Sequence, residues 1–393
     1  MATRVTPITQ ARSFATRNEP RAGRITVLLL LPVVVLMIIG LGALLSASSV
    51  LAIREGKVDN LFYFKRQIMW AGIGLLCLIV GARVPYRFYQ RAAVPIFGLA
   101  VMGLVATLAI GVSNFGATRW IKIGGFTFQP SEFAKFAVIA MLAMILTRKE
   151  AYLNTFAHVF WPVATTIGTI GILLLLQPDF GTTLLIGASA FCVLAVSNAK
   201  LRHIVGLGLT GLLASGVLAV GAGYRLDRVT SFFDSNPDVL GLGYQAHQSL
   251  VALGTGGWFG VGLGASRARW SFLPNAHSDF IFSIIGEETG LAGSLAVVAL
   301  FMVLAAVGVA IALRARDQFG RLLAVGLVSW LTFQALVNIG GVVRVIPISG
   351  VPLPFVSAGG SAMMANLFAV GVLINVARLS AKAGRGRKAG GAA

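Results

Sequence analysis

The sequence predicts an all-α polytopic membrane protein of about ten transmembrane helices, with a long extracellular loop before the eighth. Three observations carry this. The 393-residue chain is 57% hydrophobic and only 11% charged, whereas soluble domains carry about 25% charged residues. Apolar runs long enough to cross about 30 Å of hydrocarbon recur along it. Its basic residues gather in alternate connecting segments, as the positive-inside rule expects of a membrane bundle.

Taken in order, residues 1–24 are rich in Arg and Thr and nearly free of acids. They read as a disordered basic tail touching anionic lipid; a transit peptide or a protein-docking tail are the alternatives. The first apolar run, 25–47, is long enough to remain as a span, so no cleavable signal peptide is read here. The further spans are 67–83, 91–112, 131–147, 156–177, 180–198, 203–223, 280–313, 321–343 and 358–378. Only a short QPDFG turn separates 156–177 from 180–198. Residues 224–279 form the long loop, and connections of this length are uncommon unless functional or disordered. Its GLGYQAHQSLVALGTGGWFGVGLG stretch has neither Walker nor Rossmann spacing, and reads as short interfacial helices joined by glycine turns. Residues 379–393 form a second basic tail, leaving 25–378 as one membrane domain. The 47 glycines suit close packing of membrane helices.

Charge orients this bundle. With the N-terminus inside, the cytoplasmic side receives both tails, the Arg83–Arg91 bend, Arg148 and Lys149, Lys200 and Arg202, and the Arg314–Arg321 connection. Of the 13 acids only Glu19, Glu150 and Asp317 fall there. Both termini are therefore expected in the cytoplasm. The same asymmetry accounts for much of the net charge of +19 and argues against nucleic acid as a partner. Cys77 and Cys192 fall inside spans and signal neither a disulfide nor a metal site.

Most unusual polar residues then gather at the outer face. In WSFLPNAHSDFIFSIIGEE (270–288), Asp279 stands where the chain re-enters the membrane, His277 just before it, and Glu287 and Glu288 about two turns deeper. Asp279 can be read as a cap of the helix start or as a carboxylate able to take a proton from a hydroxyl. His277 reads as structural or as a participant. Glu132 and Lys135 share a helix face at i, i+3; they read as a self-neutralising pair inside the bundle and, compatibly with that, as shaping a polar cavity with Lys135 toward an anionic ligand. Arg119 and Trp120 can anchor the chain at the interface or hold a phosphate. Arg66, at the start of the second span, and Asp179, in QPDFG, lie at the same level. The Pro- and Gly-rich stretch 347–361 precedes the last span; irregular backbone at membrane depth is tolerated where it lines a cavity. Together these segments suggest one outward-facing site for an anionic amphiphile.

The chain resembles the SEDS family from about residue 25 to 378. The resemblance rests on LLSASSV (44–50), FYFKRQ (62–67), GATRWIKIG (116–124), FQPSEFAKF (128–136), QPDFGTT (177–183), FLPNAHSDFIFSIIGEETG (272–290) and SGVPLPFVSAGGS (349–361). SASSV and YFKRQ favour its cell-division branch over the elongation branch. Membership implies the ten-helix SEDS fold in the bacterial cytoplasmic membrane, at the division septum. It implies a peptidoglycan glycosyltransferase that polymerises lipid II at the outer face. The implied partners are a class B penicillin-binding protein as transpeptidase and other division proteins. Asp279 matches the family's essential carboxylate. The expected substrate contacts are Arg66, Arg119, Trp120, Lys122, Glu132, Lys135, Asp179, His277, Ser278, Ser357, Gly359, Gly360 and Ser361. Two positions depart from the family pattern, Ala358 for an aromatic and Asn275 for an acid, and neither is assigned a role. The chain shows no compact metal-ligand spacing; a divalent cation, Mg or Mn, is expected only as a companion of the diphosphate. On physics alone a flippase for lipid-linked sugars also fits ten spans around a polar cavity, as does a scaffold that recruits the transpeptidase. Polar groups crowded at one face favour surface chemistry over transport.

Overall fold

The computed structural model describes residues 22–54, 59, 61–114, 117–220, 232, 243–267 and 277–390. The N-terminal tail through residue 21 and much of the long loop fall outside them. The helices are α1 (Ala22–Arg54), α2 (Phe62–Arg83), α3 (Tyr86–Arg91), α4 (Ala93–Ile110), α5 (Pro130–Arg148), α6 (Phe156–Leu176), α7 (Phe180–Ala195), α8 (Leu201–Val220), α9 (Tyr244–Gly256), α10 (Ile281–Leu313), α11 (Gln318–Val342) and α12 (Gly360–Gly390). Among the described residues nine of these are long and apolar enough to cross a membrane, and the shorter apolar α7 makes ten. The protein is a multi-pass membrane protein.

Boundaries shift where local chemistry overrides hydropathy. Helix α2 begins at Phe62, so Arg66 lies within its first turns instead of ahead of it. Helix α5 begins on Pro130, the position where a missing N–H costs nothing. Helix α12 runs on to Gly390, so the segment expected as a C-terminal tail from 379 continues the last span as helix.

The fold is not wholly α-helical. Between α4 and α5 lie three antiparallel strands, β1 (Val112–Asn114), β2 (Ala117–Ile123) and β3 (Phe126–Phe128), in the order β1-β2-β3. The alternation in WIKI-GG-FTF carries the signal. Gly124 takes φ +58, which a two-residue hairpin turn needs and most residues resist.

Helices α5, α11 and α12 supply much of the core, and α2 packs along α12 at backbone distance. A side chain at Gly371 would strike the Leu78 carbonyl, and one at Gly81 would strike that of Phe368. Small residues let membrane helices approach this closely, where dispersion rather than water drives association.

Two segments fold back into the bundle from the end where α11 finishes. The chain after α11 descends along its own helix: Asn338 reaches the Val351 carbonyl and Gln334 that of Pro352. At 1.5 Å per residue, Gln334 lies about 12 Å short of Val342. The second segment is α10, which is two helices. Gly290 has φ 69° and ψ −164°, breaking it after Thr289. The first half climbs from Asp279 toward the end where α11 finishes. The Asp279 carbonyl sits at Asn338, whereas Ser283 meets Ser249, which bonds the Val342 carbonyl a turn further along. The second half, from Leu291, crosses the membrane.

Breaking a helix in lipid frees backbone groups that must find partners. Here the 257–262 turn supplies them. Val261 and Gly262 donate to the Glu287 and Glu288 carbonyls at 3.0 and 3.2 Å, while Leu291 and Ala292 donate to the Gly257 and Trp258 carbonyls. This corrects the expected depth of the two glutamates. Ser46 of α1 bonds Glu288, six residues further along α1 than Gly40, which packs on Val356 beside the Asp279 turn. Glu287 and Glu288 therefore lie nearer than Asp279 to the end where α11 finishes, not deeper in the bundle. Glu287 accepts from Ser266 Oγ at 2.5 Å and from the Arg267 N–H at 2.9 Å, and so ties down the end of the 257–267 turn.

Candidate functional site

The turn 277–280 and the loop 349–359 form one wall. Ser357 Oγ donates to the Ser278 carbonyl at 2.5 Å and accepts from the Leu353 N–H at 2.8 Å. The Ala358 N–H donates to the His277 carbonyl at 3.1 Å. Asn338 Nδ2 donates to the Asp279 carbonyl at 2.8 Å and the Val351 carbonyl at 2.9 Å. From α2, Gln67 donates to the Ser357 carbonyl and accepts from the Gly359 N–H, both at 3.3 Å. The backbone around Asp279 is thus fixed from three elements. Asp279, half-buried, lines a small cleft of about 10 Å³, room for roughly one water, with Asn338, Ser349 and Gly350 among the other walls. Gly350 stands beside Asp279 Oδ2. The N-cap position of α10 is Phe280, so Asp279 stands one residue ahead of the helix start.

The other expected residues divide into three groups. His277 and Ser278 belong to the Asp279 turn and serve it through their carbonyls; the His277 ring lies 6.1 Å from that of Tyr63. Ser357, Gly359, Gly360 and Ser361 hold the facing loop. Gly360 admits the Trp70 ring, and Ser361 Oγ accepts from the Gln129 N–H at 2.9 Å.

Arg119, Trp120 and Lys122 sit on β2. Arg119 hydrogen-bonds the Pro178 carbonyl at the α6–α7 corner, and its Nε is buried with no partner among the described residues. Lys122 is exposed, and Arg66 and Trp120 are half-buried. Asp179 caps α7 by accepting from the Thr182 N–H at 3.3 Å, and its Oδ2 is buried and unpartnered among the described residues. The corner it caps touches the cleft loop: a side chain on Gly181 would meet the Ser349 carbonyl.

Glu132 and Lys135 are sealed away. Both are 2% exposed and bridged at 2.8 Å. Lys135 Nζ also donates to Gln334 Oε1 at 2.9 Å and lies 4.9 Å from the centre of the Trp330 ring. Trp330 Nε1 donates to the same Gln334 oxygen at 2.8 Å. The pair neutralises itself inside the bundle, and neither residue is among those lining the cleft at Asp279.

The sequence reading missed Gln67, Gln334 and Asn338. The last two sit one turn apart on α11, in line with Trp330. Amide side chains on one face of an apolar span are a signal that could have found them, because such groups are costly in a membrane without partners. Among the described residues no group of three His, Cys, Asp or Glu side chains is placed to hold a metal ion.

Comparison with known proteins follows this geometry. The sequence model of the FtsW/RodA/SpoVE family, described as cell cycle proteins, matches residues 26–382. The chain is similar to the stage V sporulation protein E of Bacillus subtilis (strain 168), 40% identical over 358 residues, covering 90% of this chain and 97% of that protein. It is 39% identical to the probable peptidoglycan glycosyltransferase FtsW of Geobacter metallireducens, over 91% of this chain and 96% of that one. Among solved structures it superimposes on a chain from a peptidoglycan synthase complex that coordinates polymerization and crosslinking, with TM-score 0.71, 28% identity, and 90% and 97% coverage. It also superimposes on the rod shape determining protein RodA of Thermus thermophilus, with TM-score 0.66, 28% identity, and 89% and 95% coverage.

Proposed function

The chain belongs to the FtsW/RodA/SpoVE family and is a peptidoglycan glycosyltransferase, and on that premise we propose that it polymerises lipid II with Asp279 as general base. The observation that carries this is Asp279 itself: a carboxylate on a turn fixed through its backbone, lining a cleft. A base must be held at the proton it abstracts, and the backbone anchoring of this turn supports that role for Asp279.

In this scheme Asp279 takes the proton of the acceptor sugar 4-hydroxyl. That oxygen bonds to the donor anomeric carbon as the bond to the polyprenyl diphosphate breaks, and the diphosphate leaves with the bonding pair. Displacement on an α-linked donor gives a β-linkage, an inverting reaction. Arg66 and Arg119 are the cations we assign to the diphosphate charge; Lys135, engaged by Glu132 and Gln334, is left out of that role. A divalent cation, Mg or Mn, would add charge neutralisation at the diphosphate. No protein cage for it is proposed.

The orientation follows from charge. Arg83, Arg148, Arg314 and Arg378 end or follow spans at the side opposite the cleft, which supports a cleft outside and termini in the cytoplasm. The curated relatives named FtsW favour septal synthesis over the elongation role. The synthase-complex neighbour supports a class B penicillin-binding protein as transpeptidase partner, alongside other division proteins.

The experiment is polymerisation of lipid II by purified protein and partner in detergent, where no bilayer remains to be crossed and glycan strands arise only by catalysis. Asp279→Asn is expected to fold, bind the partner and lose about 10²–10⁴ of the rate. Wild-type polymerisation by that variant would sink the assignment.

A further inference from the structure

We propose that the turn at residues 257–263 is a lipid anchor: Trp258, Phe259 and Leu263 insert into the bilayer leaflet at the end where α11 finishes. This goes beyond the glycosyltransferase reading and does not depend on it.

The stretch GGWFGVGL (256–263) carries no charged side chain. Two of its glycines face the bundle. Gly256 and Gly260 lie so close to the Gly286 and Glu288 carbonyls that a side chain on either would strike them. Backbone hydrogen bonds then fix the frame: Val261 and Gly262 donate to the Glu287 and Glu288 carbonyls, and Leu291 and Ala292 donate back to those of Gly257 and Trp258. The large side chains stand away from this frame. Trp258 is 73% exposed, Phe259 86% and Leu263 84%. Val261 and, on α9, Leu250 and Val251 are exposed beside them. A single exposed apolar side chain needs no explanation, but a group of them displayed on a fixed turn does.

Two helices serve as rulers for the depth of this patch. The second half of α10, Leu291 to Leu313, is about 33 Å long at 1.5 Å per residue, close to the roughly 30 Å of bilayer hydrocarbon. It begins at Leu291 and Ala292, the residues that bond the turn. The apolar length of α1, Gly23–Ala47, ends one residue beyond Ser46, and Ser46 bonds Glu288, whose carbonyl holds Gly262. Both rulers set the turn at the boundary between hydrocarbon and headgroups. Tryptophan suits that level, with its ring body in the apolar edge and its N–H among the headgroups. Leu291 and Leu295, which follow the turn on α10, are exposed as well, so the apolar surface continues from the turn down the span. Lipid is therefore the occupant that the depth of the patch calls for. Because the same turn is bonded to the half-helix that starts beside Asp279, the anchor also sets the depth of that half-helix in the membrane.

The test uses the full-length chain with Cys77→Ser, Cys192→Ser and Phe259→Cys, carrying a fluorescent thiol label, in vesicles of phosphatidylethanolamine and phosphatidylglycerol. Depth is read with lipids bearing a nitroxide near the headgroup or near the acyl-chain end, and with iodide in the water. Leu212→Cys, exposed along the apolar α8, calibrates the deep nitroxide. Expected at position 259 is a larger loss of emission to the shallow nitroxide than to the deep one, with little loss to iodide. Position 212 should show the reverse order of the two nitroxides. Leu263→Cys should repeat the result for 259, and reads the same patch if the Phe259 variant fails to fold. Full quenching by iodide with none from either lipid overturns the proposal. Loss of the shallow quenching once the class B penicillin-binding protein is reconstituted beside the chain also overturns it, since protein and not lipid would then cover the patch.

Discussion

The cleft at Asp279 and the sealed group at Lys135 lie along one face of α11, a single turn apart, and behave as opposites. At the Gln334 turn, Lys135, Glu132, Gln334 and Trp330 interlock and leave no access. At the Asn338 turn, the amide nitrogen holds backbone while the amide oxygen goes unmatched, beside a carboxylate lining a cleft. Charge does not separate the two, because both contain an acid. What separates them is completeness: the closed group has matched polar atoms, and the other leaves an amide oxygen unmatched among the described residues. Gln334 and Asn338 also couple them, since both donate into the same loop, to Pro352 and Val351.

The largest effects should therefore fall on opposite readouts. Asp279→Asn should cost about 10²–10⁴ in polymerisation rate while the melting temperature of the purified protein stays put. Lys135→Met strands Glu132 and should cost on the order of 3–5 kcal/mol of stability, seen as a much lower melting temperature. Adding Glu132→Gln should restore most of it, because removing both charges leaves none buried alone. If Lys135→Met instead leaves stability intact and abolishes only activity, the sealed group is part of the chemistry and the contrast fails.

Ser357→Ala sharpens the boundary between the two. The hydroxyl bridges the Ser278 carbonyl and the Leu353 N–H, and its loss leaves buried backbone groups unmet at about 1–3 kcal/mol. Because it carries the turn before Asp279, the rate should also fall, by roughly tenfold or more, with the concentration dependence on lipid II little changed. A stability loss with full activity would show that Asp279 is positioned without this bridge.

The sequence made the spans legible because length and apolarity suffice for them, and it made Asp279 legible because an acid beside a membrane is conspicuous. It misjudged what depends on a reversal of direction. Nothing in the apolar run 280–313 announces that Gly290 breaks it, so Glu287 and Glu288 were expected deeper than Asp279 when they lie nearer the end where α11 finishes. Lys135 was open to two readings because spacing pairs it with Glu132 but does not reveal Gln334, two hundred residues away in sequence, as the partner that closes the group. Asn338 went unread for a similar reason: its place at the cleft depends on a loop that folds back along α11.

The smallest expected effect lies at the opposite end of the bundle, which has hydrogen bonds but no cleft chemistry. There Tyr86 OH donates to Asp317 Oδ2 at 2.8 Å, and Asp317 Oδ1 caps α11 at Gly320. Burial, with the Asp317 carboxylate beside it, pushes the Tyr86 phenol up to about 12 from an ordinary 10. A phenol whose folded pKa is raised contributes its full stability below pH 10, and that share is lost as pH climbs from 10 toward 12. Tyr86→Phe keeps the ring that stacks on Phe319 and deletes only the hydroxyl. Expected is a loss of about 1 kcal/mol at neutral pH, a shallower fall in melting temperature above pH 10, and unchanged polymerisation. A drop in rate without a drop in stability would mean that this clasp communicates with the cleft some two dozen ångströms away along α2, at about 1.5 Å per residue, and that the two ends of the bundle are one device.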